Sequence, residues 1–360
     1  MKRAFNFNAG PAALPLDVLK EAQAELLDFK GTGMSVMELS HRSKDYEAVH
    51  NNAQEQLRKL LSIPENYEVL FVQGGASQQF SMVPMNLLPA GQTANYILTG
   101  VWSEKALEEA EKEGKTRVGA SSADKKHSYV PALSDLDIRP DDAYVHITSN
   151  NTIYGTQFKQ FPDTKEVPLI VDMSSDILSK PLNMNQFGVI YAGAQKNLGP
   201  SGVTVVIIRK DLLKRSPENM PTMLNYNTHA SKNSMYNTPP TFGIYLLGKV
   251  LGWVERNGGV KAIEKINELK AGMIYDAIDQ SDGFYKGHAQ RASRSLMNIT
   301  FNLASEELEK KFLAEAKEAG FVGLAGHRSI GGCRASVYNA APVESCEALR
   351  EFMIAFKAKN

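Results

Sequence analysis

A lysine crowded by small residues is the first group in this chain whose surroundings suit chemistry. Lys196 lies in Tyr191-Ala192-Gly193-Ala194-Gln195-Lys196-Asn197-Leu198-Gly199-Pro200-Ser201-Gly202, directly before a β-branched run. A solvated surface lysine needs no such crowding. An amine that attacks an aldehyde does, because desolvation lowers its pKa and frees the nucleophile. Asp172 closes the apolar run Pro168-Leu169-Ile170-Val171, which puts a carboxylate at a strand's end. There it either meets a partner inside a site or caps a loop. Gln73-Gly74-Gly75-Ala76-Ser77-Gln78 follows a strand pattern and precedes a helical one. Its glycines let the backbone approach a ligand, and the free N–H groups of a helix start attract anions. A tight turn capped by Ser77 explains the same residues. Trp102, in Gly100-Val101-Trp102-Ser103, is placed in a loop after another strand. Such a ring either stacks on a planar ligand or packs between sheet and helix. Trp253 falls in an apolar helical stripe and is assigned to the core.

One cofactor uses all four groups at once. Pyridoxal phosphate needs an amine to bond its aldehyde, a carboxylate on its pyridinium nitrogen, a cup for its phosphate and a surface to stack on. Lys196, Asp172, the Gly75-Ala76-Ser77 turn and Trp102 supply one of each. The carboxylate keeps the ring nitrogen protonated, so the ring can take up electrons as a substrate Cα loses its proton. The interval from Asp172 to Lys196 leaves room for a strand, a connection and a second strand end on the same sheet edge.

Those groups need a scaffold that gathers strand ends. Strand patterns fall at 67–72, 95–99, 143–148, 168–172 and 203–209, with helical patterns from about 78 and over 103–114. This alternation predicts an α/β fold with a mostly parallel sheet covered by helices. Leu246, Val250, Leu251 and Val254 recur at helical spacing, and Asn257-Gly258-Gly259 ends that helix. Beyond 259 come a long helix (260–281), a strand (296–301), a helix (305–319), a strand (335–338) and a last helix (343–357). The expected organisation is an N-terminal segment (1–15), a large domain (16–258) and a smaller α+β domain (259–360).

Composition narrows the partners. The 360 residues carry 40 Lys+Arg and 40 Asp+Glu, a formal charge of zero. A neutral chain has no bulk attraction to nucleic acid or an anionic membrane, so neither is an expected partner. Anion binding falls to local cations, and His41-Arg42 and His327-Arg328 stand out as paired dipeptides. Two cysteines, Cys333 and Cys346, are too few for a disulfide framework or a Cys-rich zinc site and fit a reducing cytosol. No metal is expected. The aliphatic run 203–208 is far short of the ~20 residues that span a bilayer. Asn6, Asn8, Gly10 and Pro11 interrupt any signal sequence behind Lys2 and Arg3. The usual nucleotide, zincin and hydrolase motifs are missing.

At these residues the chain closely resembles the phosphoserine aminotransferase family, class V aminotransferases with the aspartate-aminotransferase fold (PLP fold type I). The likeness runs from Asn6-Phe7-Asn8-Ala9-Gly10-Pro11-Ala12 to His327-Arg328-Ser329-Ile330-Gly331-Gly332-Cys333-Arg334-Ala335-Ser336. It implies a seven-stranded, mostly parallel sheet in the large domain and a homodimer with shared sites. Lys196 is then the lysine bonded to the cofactor and the proton carrier between substrate Cα and cofactor C4′. Asp172 pairs with the ring nitrogen, Trp102 stacks, and Ala76, Ser77 and Gln195 hold the phosphate. Thr152 reaches the phenolic oxygen. Asn237 and Thr238 reach the partner subunit's cofactor phosphate. Arg334 binds the α-carboxylate, a role suited to its planar fork. His41, Arg42, His327 and Arg328 hold the substrate's phosphate or the glutamate side-chain carboxylate; surface charge is the plainer reading of these four. The implied reaction is a ping-pong transfer of the amino group of L-glutamate to 3-phosphohydroxypyruvate, giving 3-phosphoserine and 2-oxoglutarate in serine biosynthesis. A phosphohydroxythreonine step of pyridoxine biosynthesis is a further implied activity.

Rival readings share parts of this pattern. A cysteine desulfurase or an alanine–glyoxylate-type aminotransferase would keep Lys196 and Asp172, and a desulfurase would need a mobile Cys333. A non-catalytic descendant would be expected to lose the lysine or the aspartate. A nicotinamide-dependent dehydrogenase lacks its dinucleotide fingerprint here.

Overall fold

The computed structural model describes residues 3–360; Met1 and Lys2, the start of the expected N-terminal segment, lie outside them. Its centre is a seven-stranded sheet in the order Tyr67–Val72, Thr204–Arg209, Val189–Gly193, Leu169–Asp172, Asp142–Thr148, Thr93–Leu98, Lys115–Ser121. Thr204–Arg209 alone runs opposite to the other six strands. That strand is β-branched and buried almost throughout, as a strand covered on both faces must be.

Side-chain alternation divides the sheet between two cores. Val145, Ile147, Val171, Ile190 and Val205 face one cluster; Tyr144, Ile170, Tyr191 and Val206 face the other. The helix Thr241–Arg256 lays Ile244, Leu247, Leu251 and Val254 on the first cluster. Its Tyr245, Leu246 and Val250 cover a further cluster under the helices Leu16–Glu25 and Lys44–Leu61. Trp253 packs between these two cores, as its stripe predicts.

The helix Gly259–Asp279 leads into a three-stranded antiparallel sheet (Lys286–Gly287, Asn298–Asn302, Cys333–Ser336) backed by the helices Glu306–Glu318 and Val343–Lys359. Phe7 is buried in this C-terminal core, and Phe5–Asn6 pairs with Phe321–Val322. The chain then crosses back over Lys196. Ala12 N–H donates to the Gln195 carbonyl at 2.8 Å. Gly10 has φ +150°, and a Cβ there would sit 3.4 Å from Lys196 Cε. Only glycine allows both the backbone angle and the close approach.

Candidate active site

Neighbouring strands end side by side at the floor of the site. Thr148 pairs with Asp172, and Asp172 with Tyr191, two residues before Gly193. Above these ends is a cavity of about 180 Å³, at the sheet's carboxyl edge where α/β proteins bind ligands. Ala76, Ser77, Trp102, Asp172, Gln195 and Lys196 all line it.

Two elements begin earlier than the sequence suggests. The helix after the first strand spans Gly75–Leu87, so Ala76 and Ser77 lie in its first turn. Gly74, at φ +89°, makes the turn, and no side chain caps the N–H groups. Ser77 is therefore not the cap. Trp102 is not in a loop but in the first turn of the helix Val101–Glu113. The Ser103 hydroxyl accepts from the Thr99 and Gly100 N–H groups and donates to the Gly100 carbonyl at 2.7 Å, which ties the end of the strand to the first turn of the helix.

Asp172 is buried, and its two oxygens differ. Oδ1 accepts from Ser174 N–H at 2.9 Å and Ser174 O–H at 2.6 Å. Oδ2 accepts nothing from the described residues. Burial raises the Asp172 pKa, while the Ser174 bonds and the Lys196 charge pull it back. Lys196 moves the other way: burial lowers its pKa, Asp172 opposes that, and Arg334 adds to it.

Thr152 links the cavity to the C-terminal sheet. Its Oγ1 accepts from Trp102 Nε1 at 3.0 Å, which leaves the hydroxyl proton free to donate. Its carbonyl accepts from Arg334 Nη1 at 2.9 Å. Arg334 Nε is buried without a partner. His327 Nδ1 meets the Ser329 hydroxyl at 2.7 Å, and burial together with Arg334, Arg328 and Lys105 lowers its pKa. Arg328 is exposed.

Thr152, His327, Arg328 and Arg334 are not in the cavity wall themselves, and four further expected residues form a separate group. His41 Nδ1 is 3.3 Å from Thr238 Oγ1, so the two distant segments meet. Asn237 lines a separate cavity of about 190 Å³ with Gln73 and Gln78. Arg42, Asn237 and Thr238 are exposed. Sequence reasoning missed Thr148, Asn150, Ser174 and Ser175, which also line the first cavity. The Asp-x-Ser spacing of 172 and 174 was the one local signal for them. Cys333 is 1% exposed, and burial raises its thiol pKa far above the ordinary value. A mobile, nucleophilic thiol is the opposite of this.

The donor set fits pyridoxal phosphate. Thr148 Oγ1 is buried with no partner, Asp172 has an unused oxygen, and the uncapped helix start has no acidic residue in its first turn. A lysine with a lowered pKa completes the set.

Comparison with known proteins agrees with this chemistry. The sequence profile of the family described as aminotransferase class V matches residues 4–349, and the chain is a class V aminotransferase. A phosphoserine aminotransferase from Lysinibacillus sphaericus is 67% identical over 100% of this chain and 99% of that relative. The solved phosphoserine aminotransferase from Bacillus circulans subsp. alkalophilus is 60% identical, with TM-score 0.98 over 100% of this chain and 99% of that one. The PLP-bound phosphoserine aminotransferase from Trichomonas vaginalis is 40% identical, with TM-score 0.93 over 98% of this chain and 100% of that one. Within its class the chain belongs to the phosphoserine aminotransferase family.

Proposed function

We propose that the chain transfers the amino group of L-glutamate to 3-phosphohydroxypyruvate, giving 3-phospho-L-serine and 2-oxoglutarate. The observation that carries this reading is the pairing of Lys196 and Asp172 in one cavity with an uncapped helix start. Pyridoxal phosphate bound there supplies an electron sink for the pair left when a substrate Cα loses its proton.

Lys196 Nζ would hold the cofactor and, once released, carry that proton. Asp172 Oδ2 would keep the ring nitrogen protonated. The N–H groups of Ala76 and Ser77, with Gln195, would hold the phosphate, and Thr152 would donate to the phenolic oxygen. Trp102 would cover the ring and exclude water. Arg334, already anchored to the Thr152 carbonyl, would present its remaining N–H groups to an α-carboxylate. Both substrates are dicarboxylate-like acids with an α-carboxylate, so one site serves each half of a ping-pong cycle. The phosphohydroxythreonine step would use the same groups.

The working unit is a homodimer in this reading. Leu27 is 86% exposed, Met37 54% and Tyr236 49%. Met37 and Tyr236 lie close in sequence to the joined 41–42 and 237–238 segments, which suits a surface that a second copy covers. His41, Arg42, Asn237 and Thr238 would then complete the partner's site. We place the boundary between the two domains at 258/259. No described helix is long and apolar enough to cross a membrane. Both cysteines are free and buried, which suits the cytoplasm.

The decisive experiment follows the visible absorption of the purified protein. Glutamate should bleach it and 3-phosphohydroxypyruvate should restore it; absorption indifferent to both acids would sink the reading. A second measurement addresses the His-Arg pairs. Arg42→Ala and Arg328→Ala should each cut the preference for phosphoserine over serine by roughly tenfold or more, the value of one charge-assisted contact. A preference intact in both variants would remove these residues from phosphate recognition.

A further inference from the structure

The helix Gly259–Asp279 buries a lysine for which the reaction has no use. Lys270 is 0% exposed and pairs with none of the carboxylates among the described residues. Its Nζ donates instead to three backbone carbonyls, Tyr338 at 2.6 Å, Ala341 at 3.1 Å and Asn339 at 3.4 Å. An ammonium has three donors, and all three are spent on one turn.

That turn continues the strand that carries Arg334, and it grips the chain on both sides of Lys196. On one side, Tyr338 Oη donates to the Ala9 carbonyl at 2.6 Å. The next residue, Gly10, lies against the Lys196 stem. On the other side, Asn339 N–H donates to Asn197 Oδ1 at 3.0 Å, and Asn197 is bonded to Lys196. Asn197 Nδ2 in turn holds the Ile177 carbonyl, and Asn339 Nδ2 holds that of Leu178, both at 3.0 Å.

We propose that Lys270 is a positioning residue for Lys196, acting through the 338–341 turn that brackets it and ties it to the Arg334 strand. A buried charge answered only by carbonyl dipoles is costly, and an apolar side chain would fill the same helix position. The charge earns a physical account only through what it fixes. Burial pushes the Lys270 ammonium down to about 8, and the titratable group facing it is the Cys346 thiol of the helix Val343–Lys359, itself pushed up to about 11. The ammonium form therefore prevails at neutral pH.

The inference rests on Lys196 being the lysine that engages the cofactor. The test uses holoenzyme with Lys270→Met, Lys270→Arg and Asn197→Ala. Three quantities are read: thermal midpoint, the pH midpoint of the bound cofactor's visible absorption, and the single-turnover rate with glutamate. Lys270→Met and Asn197→Ala should both keep the cofactor, move the absorption midpoint by about half a pH unit or more, and slow the glutamate turnover about tenfold. Lys270→Arg should restore the rate to within about threefold. Variants that change only the thermal midpoint overturn the inference. If Lys270→Met does not fold, Lys270→Gln, which keeps two amide donors but no charge, decides on the same readouts. Lys196→Ala separates the two levels. If it loses the absorption while Asn197→Ala is unaffected, only this inference fails; if it keeps the absorption, both fail.

Discussion

Lys196→Ala should lower transamination by about 10⁴-fold or more and remove the protein's visible absorption. The expected loss is large because one atom does two jobs. Nζ holds the cofactor, and the same Nζ moves the proton at the substrate Cα. No second lysine lines the cavity among the described residues. The electrostatics favour the neutral amine. Burial lowers the Lys196 pKa, so the unprotonated, nucleophilic form is present at a lower pH than for an exposed lysine of ordinary pKa about 10.5. Arg334 pushes in the same direction from the C-terminal sheet. Asp172 pushes back, and filling the site with an anion near Arg334 would remove part of that residue's effect. Circular dichroism separates lost chemistry from lost structure, since truncation at a cavity wall removes few packing contacts. A folded variant that stays coloured would show that another amine engages the cofactor.

The cavity's main groups were legible because their signals are local. A strand that ends in Asp172 and a lysine set among glycines declare themselves within a few residues. The parallel architecture was equally open, since five of the strands are apolar runs. The other two were not seen. Lys115–Ser121 is an edge strand paired on one side only, and only Gly119 in it is buried, so no burial pattern marks it. Val189–Gly193 runs directly into the glycine-rich lysine segment, with no turn residues to mark its end. The helix Lys44–Leu61 buries Tyr46, His50, Ala53, Leu57 and Leu61, a helical spacing disguised by a histidine and an alanine. Lys270 was invisible for a related reason. Nothing in a helical sequence separates a lysine that caps a distant turn from one in solvent. The meeting of His41 with Thr238 is likewise a product of tertiary structure alone.

The second large effect is expected for Asp172→Asn, and its origin lies in the unequal oxygens. Ser174 presents two donors to Oδ1, its N–H and its O–H. Those donors would fix the asparagine's carbonyl oxygen at the Oδ1 position, because the amide nitrogen there would face two hydrogens. The NH₂ would then occupy the Oδ2 position. An acceptor turned toward the ring nitrogen becomes a donor, and the ring nitrogen can no longer be held protonated. We expect turnover to fall by roughly 10²–10³-fold, the usual scale for losing one preorganised electrostatic partner in a closed site. Cofactor binding should weaken far less, because the helix start, Gln195 and Lys196 are untouched. Stability should move the opposite way to activity. Burial raises the Asp172 pKa, which means the folded state resists the charged form. A neutral isostere that keeps both Ser174 bonds relieves this, so the apo-protein's thermal midpoint should hold or rise. Steady-state kinetics and a melting curve on one preparation check both halves. A variant within tenfold of the parent turnover would mean that Asp172 does not set the ring nitrogen's protonation. A clear drop in melting temperature would mean that its charge also serves the fold.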